Sequence, residues 1–313
     1  MTTAFLFPGQ GSQAVGMGKS FADAFPVARA LFDEVDDALG AKLTEIMWEG
    51  PLETLTLTEN AQPALMAVSL AAIRVLEAEA GLDLPRDVAF VAGHSLGEYA
   101  ALAAAGAFSV ADAARLLRTR GLAMQKAVPV GAGAMAALLG LDIDAARAVA
   151  AETAQGQVCD VANDNAPGQV VVSGAKAAVE RAVEIAKARG GRAMMLPVSA
   201  PFHCALMRPA ADAMGEALAK VAVRAPKVPL VANVTATVVT DPAEIVRLLV
   251  RQVTEMVRWR QSVEFLVKNG VDRLVEVGAG RVLTGLAKRI AKDTPALPLG
   301  RLEDVVTFKA IRP

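Results

Sequence analysis

Residues 88–108, VAFVAGHSLGEYAALAAAGAF, constrain the fold of this chain more than any other stretch. An apolar, β-prone run (Val88, Ala89, Phe90, Val91) leads into Gly93-His94-Ser95-Leu96-Gly97 and then into an alanine-rich segment of high helix propensity. This is G-x-S-x-G between a strand and a helix, a context that puts the serine on a sharp, strained corner. Glycine is needed on both sides, because a side chain at 93 or 97 would collide with the neighbouring strand or helix. The corner lifts the Ser95 hydroxyl out of the fold. The start of the next helix then offers backbone N–H groups and a positive dipole end to a developing oxyanion. Ser95 is the candidate nucleophile; a small N-capping serine in an ordinary βα turn is the plainer alternative.

The chain around this corner alternates strand-like and helix-like segments. Residues 3–7 read as a buried strand ending at Pro8-Gly9-Gln10-Gly11-Ser12-Gln13, and helical patterns cover 21–39 and 63–80. Such alternation with buried β runs predicts a parallel sheet covered on both faces. Near Lys126 the pattern changes. Strands are expected at 135–139, 158–162, 169–173 and 193–198 and helices at 143–153 and 175–189, with a turn over Asn163-Asp164-Asn165-Ala166-Pro167-Gly168. The order βαββαβ is that of the ferredoxin-like split unit. From residue 200 the α/β character returns, with strands at 228–234 and 273–277 and helices at 242–253, 260–269 and 282–291. The expected fold is α/β. A large domain, 1–126 and 200–313, has a parallel-sheet, α/β-hydrolase-like core, and a small ferredoxin-like domain is inserted at 127–199.

Composition narrows the function classes. The 313 residues are 54% hydrophobic but only 4% aromatic, so alanine, valine and leucine must fill the core. Lys plus Arg number 32 against 33 Asp plus Glu, a balance that gives no support to nucleic-acid binding. Cys159 and Cys204 are the only cysteines, which is no disulfide framework, and no ligand cluster suggests a metal. The N-terminus lacks the basic and apolar regions of a signal peptide. Gly, Pro or charge interrupts each apolar stretch before about 18 residues, so no membrane span is expected and a cytoplasmic protein is.

A serine hydroxyl needs a base within hydrogen-bond reach, and the chain has two histidines. His94 adjoins Ser95, but adjacent side chains at a tight turn diverge. His203, in Ser199-Ala200-Pro201-Phe202-His203-Cys204, comes from a different element, as a nucleophile–base pair requires. Cys204 is a rival nucleophile that His203 is badly directed to activate; it reads as a small core residue. In the helical segment 109–126 one stripe collects Ala113, Leu116, Leu117, Arg120, Ala123 and Met124. Arg120 is thus a guanidinium on an apolar face. It calls for a substrate carboxylate in bidentate geometry, a structural ion pair, or a route for the side chain to the surface. The loop Gly9-Gln10-Gly11-Ser12-Gln13 lacks the Lys-Ser/Thr of nucleotide loops, and at the edge of a parallel sheet it would present Gln10 and backbone N–H groups to the substrate of the serine.

GQGSQ at 9–13, GHSLGEY at 93–99, Arg120, NAPGQVVVSG at 165–174 and APFH at 200–203 together resemble the malonyl-CoA:acyl-carrier-protein transacylases of type II fatty acid synthesis, from Thr3 to about Ile290. The resemblance implies that Ser95 carries a malonyl ester, His203 acts as base and then acid, and Arg120 pairs with the malonyl carboxylate. It implies an oxyanion hole from the Gln10 and Leu96 N–H groups, a Gln252 carbonyl that orients His203, and Met124 in the acyl pocket, where plain core packing is the alternative. Phe202 matches the malonyl-selective form of its motif. The expected reaction is ping-pong transfer from malonyl-CoA to the phosphopantetheine thiol of holo acyl carrier protein, with no bound cofactor. An acidic carrier implies a basic docking patch near the cleft, which the scattered Lys and Arg do not single out. The alternatives are a freestanding acyltransferase serving a polyketide synthase, or a serine esterase or thioesterase. Against the latter stand Arg120 and the lack of a triad acid.

Overall fold

The computed structural model describes residues 1–311. Among these, ten strands form two sheets: β1 (Thr3–Phe7), β2 (Phe90–Gly93), β3 (Gly133–Leu139), β4 (Cys159–Ala166), β5 (Gln169–Ala175), β6 (Arg192–Met195), β7 (Leu230–Val231), β8 (Val238–Val239), β9 (Arg273–Val277) and β10 (Ala296–Leu299). The six-stranded sheet runs β10-β9-β1-β2-β7-β8, parallel except for β8. Every residue of β1 is buried, as a central strand covered on both faces must be. Its register pairs Phe7 with Gly93, which brings the loop after β1 beside the serine corner.

The second sheet is antiparallel, in the order β4-β5-β3-β6. The period of two along its strands separates two cores. Ala134, Ala136 and Leu138 of β3 pack with the helices Ile143–Ala154 and Lys176–Ala188, whereas Met135 and Ala137 face the main core. The whole is a mixed α/β fold with one largely parallel and one antiparallel sheet.

Several expectations need correction. The helix expected over 21–39 is two, Lys19–Ala24 and Pro26–Leu39. Phe25 breaks it, because the residue before a proline is pushed to extended backbone, here φ −131°. The turn expected over 163–168 shrinks to Pro167-Gly168, and β4 continues through Ala166 across two irregularities in register. Its Asn- and Asp-rich end is supported from outside its own sheet. Asp164 N donates to Val257 O, Val257 N to Ala162 O, and the Asp164 carboxylate accepts from Arg260. The strand expected over 228–234 pairs only at Leu230–Val231, and strands β8 and β10 and the helices Arg208–Leu218 and Leu302–Ile311 were not anticipated. The helix expected over 63–80 begins five residues earlier, at Thr58. By length and composition Thr58–Ala80 could cross a membrane, contrary to the sequence reading. However, 83% of the window that qualifies is buried within the fold, so core packing accounts for its apolar character.

Candidate active site

Ser95 sits between β2 and the helix Gly97–Ala104 with φ 52°, the strained left-handed backbone expected of this corner. The two glycines are sterically obligatory. A Cβ on Gly93 would lie 1.9 Å from the Gly97 carbonyl, and one on Gly97 would lie 2.2 Å from Phe7 O of β1. Asn233 fastens the corner: its Oδ1 accepts from Ser95 N at 2.8 Å and its Nδ2 donates to Gly93 O at 2.6 Å.

Ser95 Oγ lies 2.8 Å from His203 Nε2. The other ring nitrogen, Nδ1, lies 2.8 Å from the Gln252 main-chain oxygen. A carbonyl can only accept, so Nδ1 carries the proton and Nε2 offers its lone pair to the serine hydroxyl. His203 is buried, with φ 58°, and burial together with the nearby Arg120 charge pushes its pKa down to about 3. The imidazole is therefore neutral at physiological pH. His94 turns away, with Nε2 2.8 Å from Asn165 Oδ1. Cys204 is fully buried, its thiol pushed up to about 11 chiefly by burial, with Sγ donating to Pro201 O. It is a core residue.

Arg120 enters from the helix Val110–Ala127, 1% exposed. Its Nη1 donates to Gln62 Oε1 at 2.8 Å; Nη2 donates to Gln252 Oε1 at 2.8 Å and to Ser95 Oγ at 3.1 Å. Among the described residues no acidic side chain forms an ion pair with it. Of the alternatives open in the sequence, the structural ion pair and the escape to the surface are both absent. Arg120 is thus a buried cation bonded only to neutral groups, one of them the serine oxygen.

Gln10, Ser95, Leu96, Arg120, Met124 and His203 line one cavity of about 470 Å³, and Gln252 is buried directly behind it. The N–H groups of Gln10 and Leu96 donate to no acceptor among the described residues. A larger cavity, about 710 Å³, opens elsewhere beside Leu31 and Arg224; no histidine lines it, and its Ser109 caps the helix Val110–Ala127 by accepting from Asp112 N.

The acyl transferase domain family matches residues 4–301. The malonyl CoA-acyl carrier protein transacylase of Salmonella typhimurium is 49% identical over 297 residues, 95% of each chain. The chain belongs to the malonyl-CoA:acyl-carrier-protein transacylases. The crystal structure of the acyl-carrier-protein S-malonyltransferase from Bartonella henselae superposes with a TM-score of 0.97 at 56% identity, covering 99% of both chains. A malonyl-transacylase solved in complex with a type II polyketide synthase acyl-carrier protein is 44% identical, with a TM-score of 0.94 and 98% of both chains covered.

Membership in this transacylase family makes two omissions of the sequence reading instructive. Glu98 is 1% exposed, and its Oε2 accepts from Gln252 Nε2 and Asn233 N; burial raises its carboxyl to about 7. In the sequence it reads as an ordinary acidic residue favoured by a helix N-terminus. The signal available was an acid three residues after the nucleophile on a helix otherwise apolar throughout. Asn233 is fully buried just after β7, and the sign of it was one amide inside the run Val231-Ala232-Asn233-Val234.

Proposed function

We propose that this protein transfers the malonyl group from malonyl-CoA to the phosphopantetheine thiol of acyl carrier protein through a malonyl ester on Ser95. The observation that carries the reading is the Ser95 oxygen shared between the His203 lone pair and the Arg120 guanidinium. In the first half-reaction His203 Nε2 takes the hydroxyl proton as Oγ attacks the thioester carbonyl. The Gln10 and Leu96 N–H groups receive the oxyanion, and the C–S bond breaks as imidazolium returns the proton to the CoA thiolate. In the second, His203 deprotonates the carrier thiol, sulfur attacks the ester, and the proton returns to Ser95. Arg120 holds the distal carboxylate throughout, and Met124 and Phe202 wall the acyl group. The Gln252 carbonyl does for His203 what a carboxylate does in a hydrolase triad: it fixes the tautomer.

The pantetheine arm and CoA are parts of substrates, and the chain needs no cofactor for this chemistry. Fatty acid elongation in the cytoplasm is the process we assign. A polyketide carrier is the second reading, favoured by the relative solved with such a carrier. We infer further that residues 127–199 form an inserted ferredoxin-like domain on a hydrolase-like large domain. The strand order β4-β5-β3-β6 supports the former and the strand–serine–helix corner the latter. Intact-mass measurement tests the function directly. Malonyl-CoA should add one malonyl group to the protein, and holo carrier protein should remove it with appearance of malonyl carrier. Release of free malonate at that rate instead would make the protein a hydrolase. Parallel trials with fatty acid and polyketide carriers decide between the two processes.

A further inference from the structure

Glu98 takes no part in either acyl transfer, yet it lies at the centre of the hydrogen bonds beneath them. Its Oε2 accepts from Gln252 Nε2 at 2.5 Å, and the same nitrogen donates to Ser95 O at 3.0 Å. The main-chain carbonyl can only accept, so the amide must turn its NH2 toward these two oxygens. Its own oxygen is then left facing Arg120 Nη2 at 2.8 Å, and an arginine can only donate. A reversed amide would set NH2 against guanidinium and oxygen against two oxygens. The other guanidinium nitrogen is fixed in a comparable way: Gln62 Oε1 accepts from Nη1 while Gln62 Nε2 donates to Thr58 Oγ1. Arg120 is thus suspended between two glutamine oxygens, and Glu98 shares with the Ser95 carbonyl the holding of one of those amides with its oxygen toward the guanidinium.

We propose that Glu98 is a positioning residue for acyl selection, orienting the Gln252 amide and through it the guanidinium that receives the acyl carboxylate. The proposal rests on the reading of Arg120 as the carboxylate clamp. A purely architectural acid under the serine corner would affect every acyl group equally. A positioning acid affects only those acyl groups that use Arg120. The charge it carries also opposes that of Arg120 across the amide, and burial raises the Glu98 pKa to about 7. Arg120, Tyr99 and His203 are the other ionisable groups gathered around the Glu98–Gln252 pair.

The test compares kcat/KM for malonyl-CoA and acetyl-CoA in wild type, Glu98→Met and Glu98→Gln, with Arg120→Ala alongside and melting temperature measured for each. Glu98→Met should lower the malonyl value by roughly 10- to 100-fold, the effect of an unsatisfied buried amide, and the acetyl value by less than about threefold. Glu98→Gln can still accept from Gln252 through its own amide oxygen, and should return malonyl transfer to within about threefold of wild type. If Glu98→Met does not fold, Glu98→Asp carries the same comparison, because it keeps the charge but withdraws the oxygen by one methylene. Equal losses for both acyl groups in Glu98→Met, an unchanged malonyl value, or no recovery in Glu98→Gln would each overturn the proposal. Equal losses for both acyl groups in Arg120→Ala would instead overturn the clamp reading beneath it.

Discussion

The elements around the six-stranded sheet furnish the cavity with Gln10, Ser95, Arg120 and His203, whereas the four-stranded sheet furnishes Met135, Asn163, Asn165 and Val171. The first group can take up or stabilise charge; the second is apolar or neutral amide. This division follows from topology. A parallel sheet gathers its strand-to-helix turns at one edge, where helix starts and loop N–H groups converge. An antiparallel sheet packed by one face offers mainly side chains of alternating strand positions. The small sheet is nonetheless firmly attached along β4, by the Asp164–Arg260 ion pair and the backbone bonds of Ala162 and Asp164 with Val257. Its contribution is the width and lining of the cleft, and the rate of chemistry should depend on the other side.

The largest effect expected on the reactive side is at the nucleophile. Ser95→Ala should abolish the malonyl adduct in intact-mass measurement while leaving the melting temperature close to wild type, since the hydroxyl is half-buried at the corner and fills no core. An adduct that persists in this variant would move the nucleophile elsewhere.

His203→Ala should slow both half-reactions by about 10²- to 10⁴-fold, and His94→Ala by much less, because the His94 ring is bonded to Asn165 and not to Ser95. The low His203 pKa adds a pH test. The acid limb of kcat/KM for acylation reports the base of the free enzyme, and that base is neutral down to about 3. The acylation rate should therefore hold from pH 7.5 down to 5, a range over which an ordinary histidine of pKa about 6.5 would pass from mostly neutral to largely protonated. Protonation of Glu98 in the same range leaves less charge opposing Arg120, which does not weaken capture of an anionic acyl group. A tenfold loss centred near pH 6.5 would mean that His203 titrates normally.

On the proposed role of Arg120 as carboxylate clamp, Arg120→Ala removes a charge-assisted contact from a desolvated pocket, a loss on the order of 2–5 kcal/mol, so malonyl transfer should fall tens- to thousands-fold. Acetyl-CoA never used the contact and should lose far less. Lysine at 120 should rescue little, as a point charge cannot span Gln62, Gln252 and a carboxylate at once. Kinetics with the two acyl-CoAs decide it: parallel losses would make Arg120 a support of the fold.

The same division governs what the sequence made legible. Ser95, its two glycines and strand β1 were readable because local sterics dictate them: one serine between two glycines, one buried run of five. Arg120 stood out because a helix stripe exposes a misplaced charge. The two-histidine inventory found His203. What escaped depends on contacts distant in sequence. The extension of β4 through Asn163–Ala166 is held by Val257 and Arg260, nearly a hundred residues on, and its composition alone reads as turn. Glu98 and Asn233 acquire their roles only when residues 95, 98, 233 and 252 are brought together.

The smallest expected effect probes the other side of the cleft. Asn165 on β4 reaches across to the serine corner, with Oδ1 2.8 Å from His94 Nε2, and both residues line the cavity. Asn165→Ala deletes one neutral hydrogen bond, worth about 1 kcal/mol, at a site that water from the cavity can reach. None of the bonds joining Ser95, His203, Arg120 and Gln252 involves it. KM for malonyl-CoA should accordingly rise by about two- to fivefold through a looser wall, with kcat within about twofold of wild type. Steady-state kinetics of the variant separate the two parameters. A fall in kcat beyond tenfold at unchanged KM would show that the small sheet positions a reacting group, and the assignment of chemistry to one sheet and lining to the other would fail.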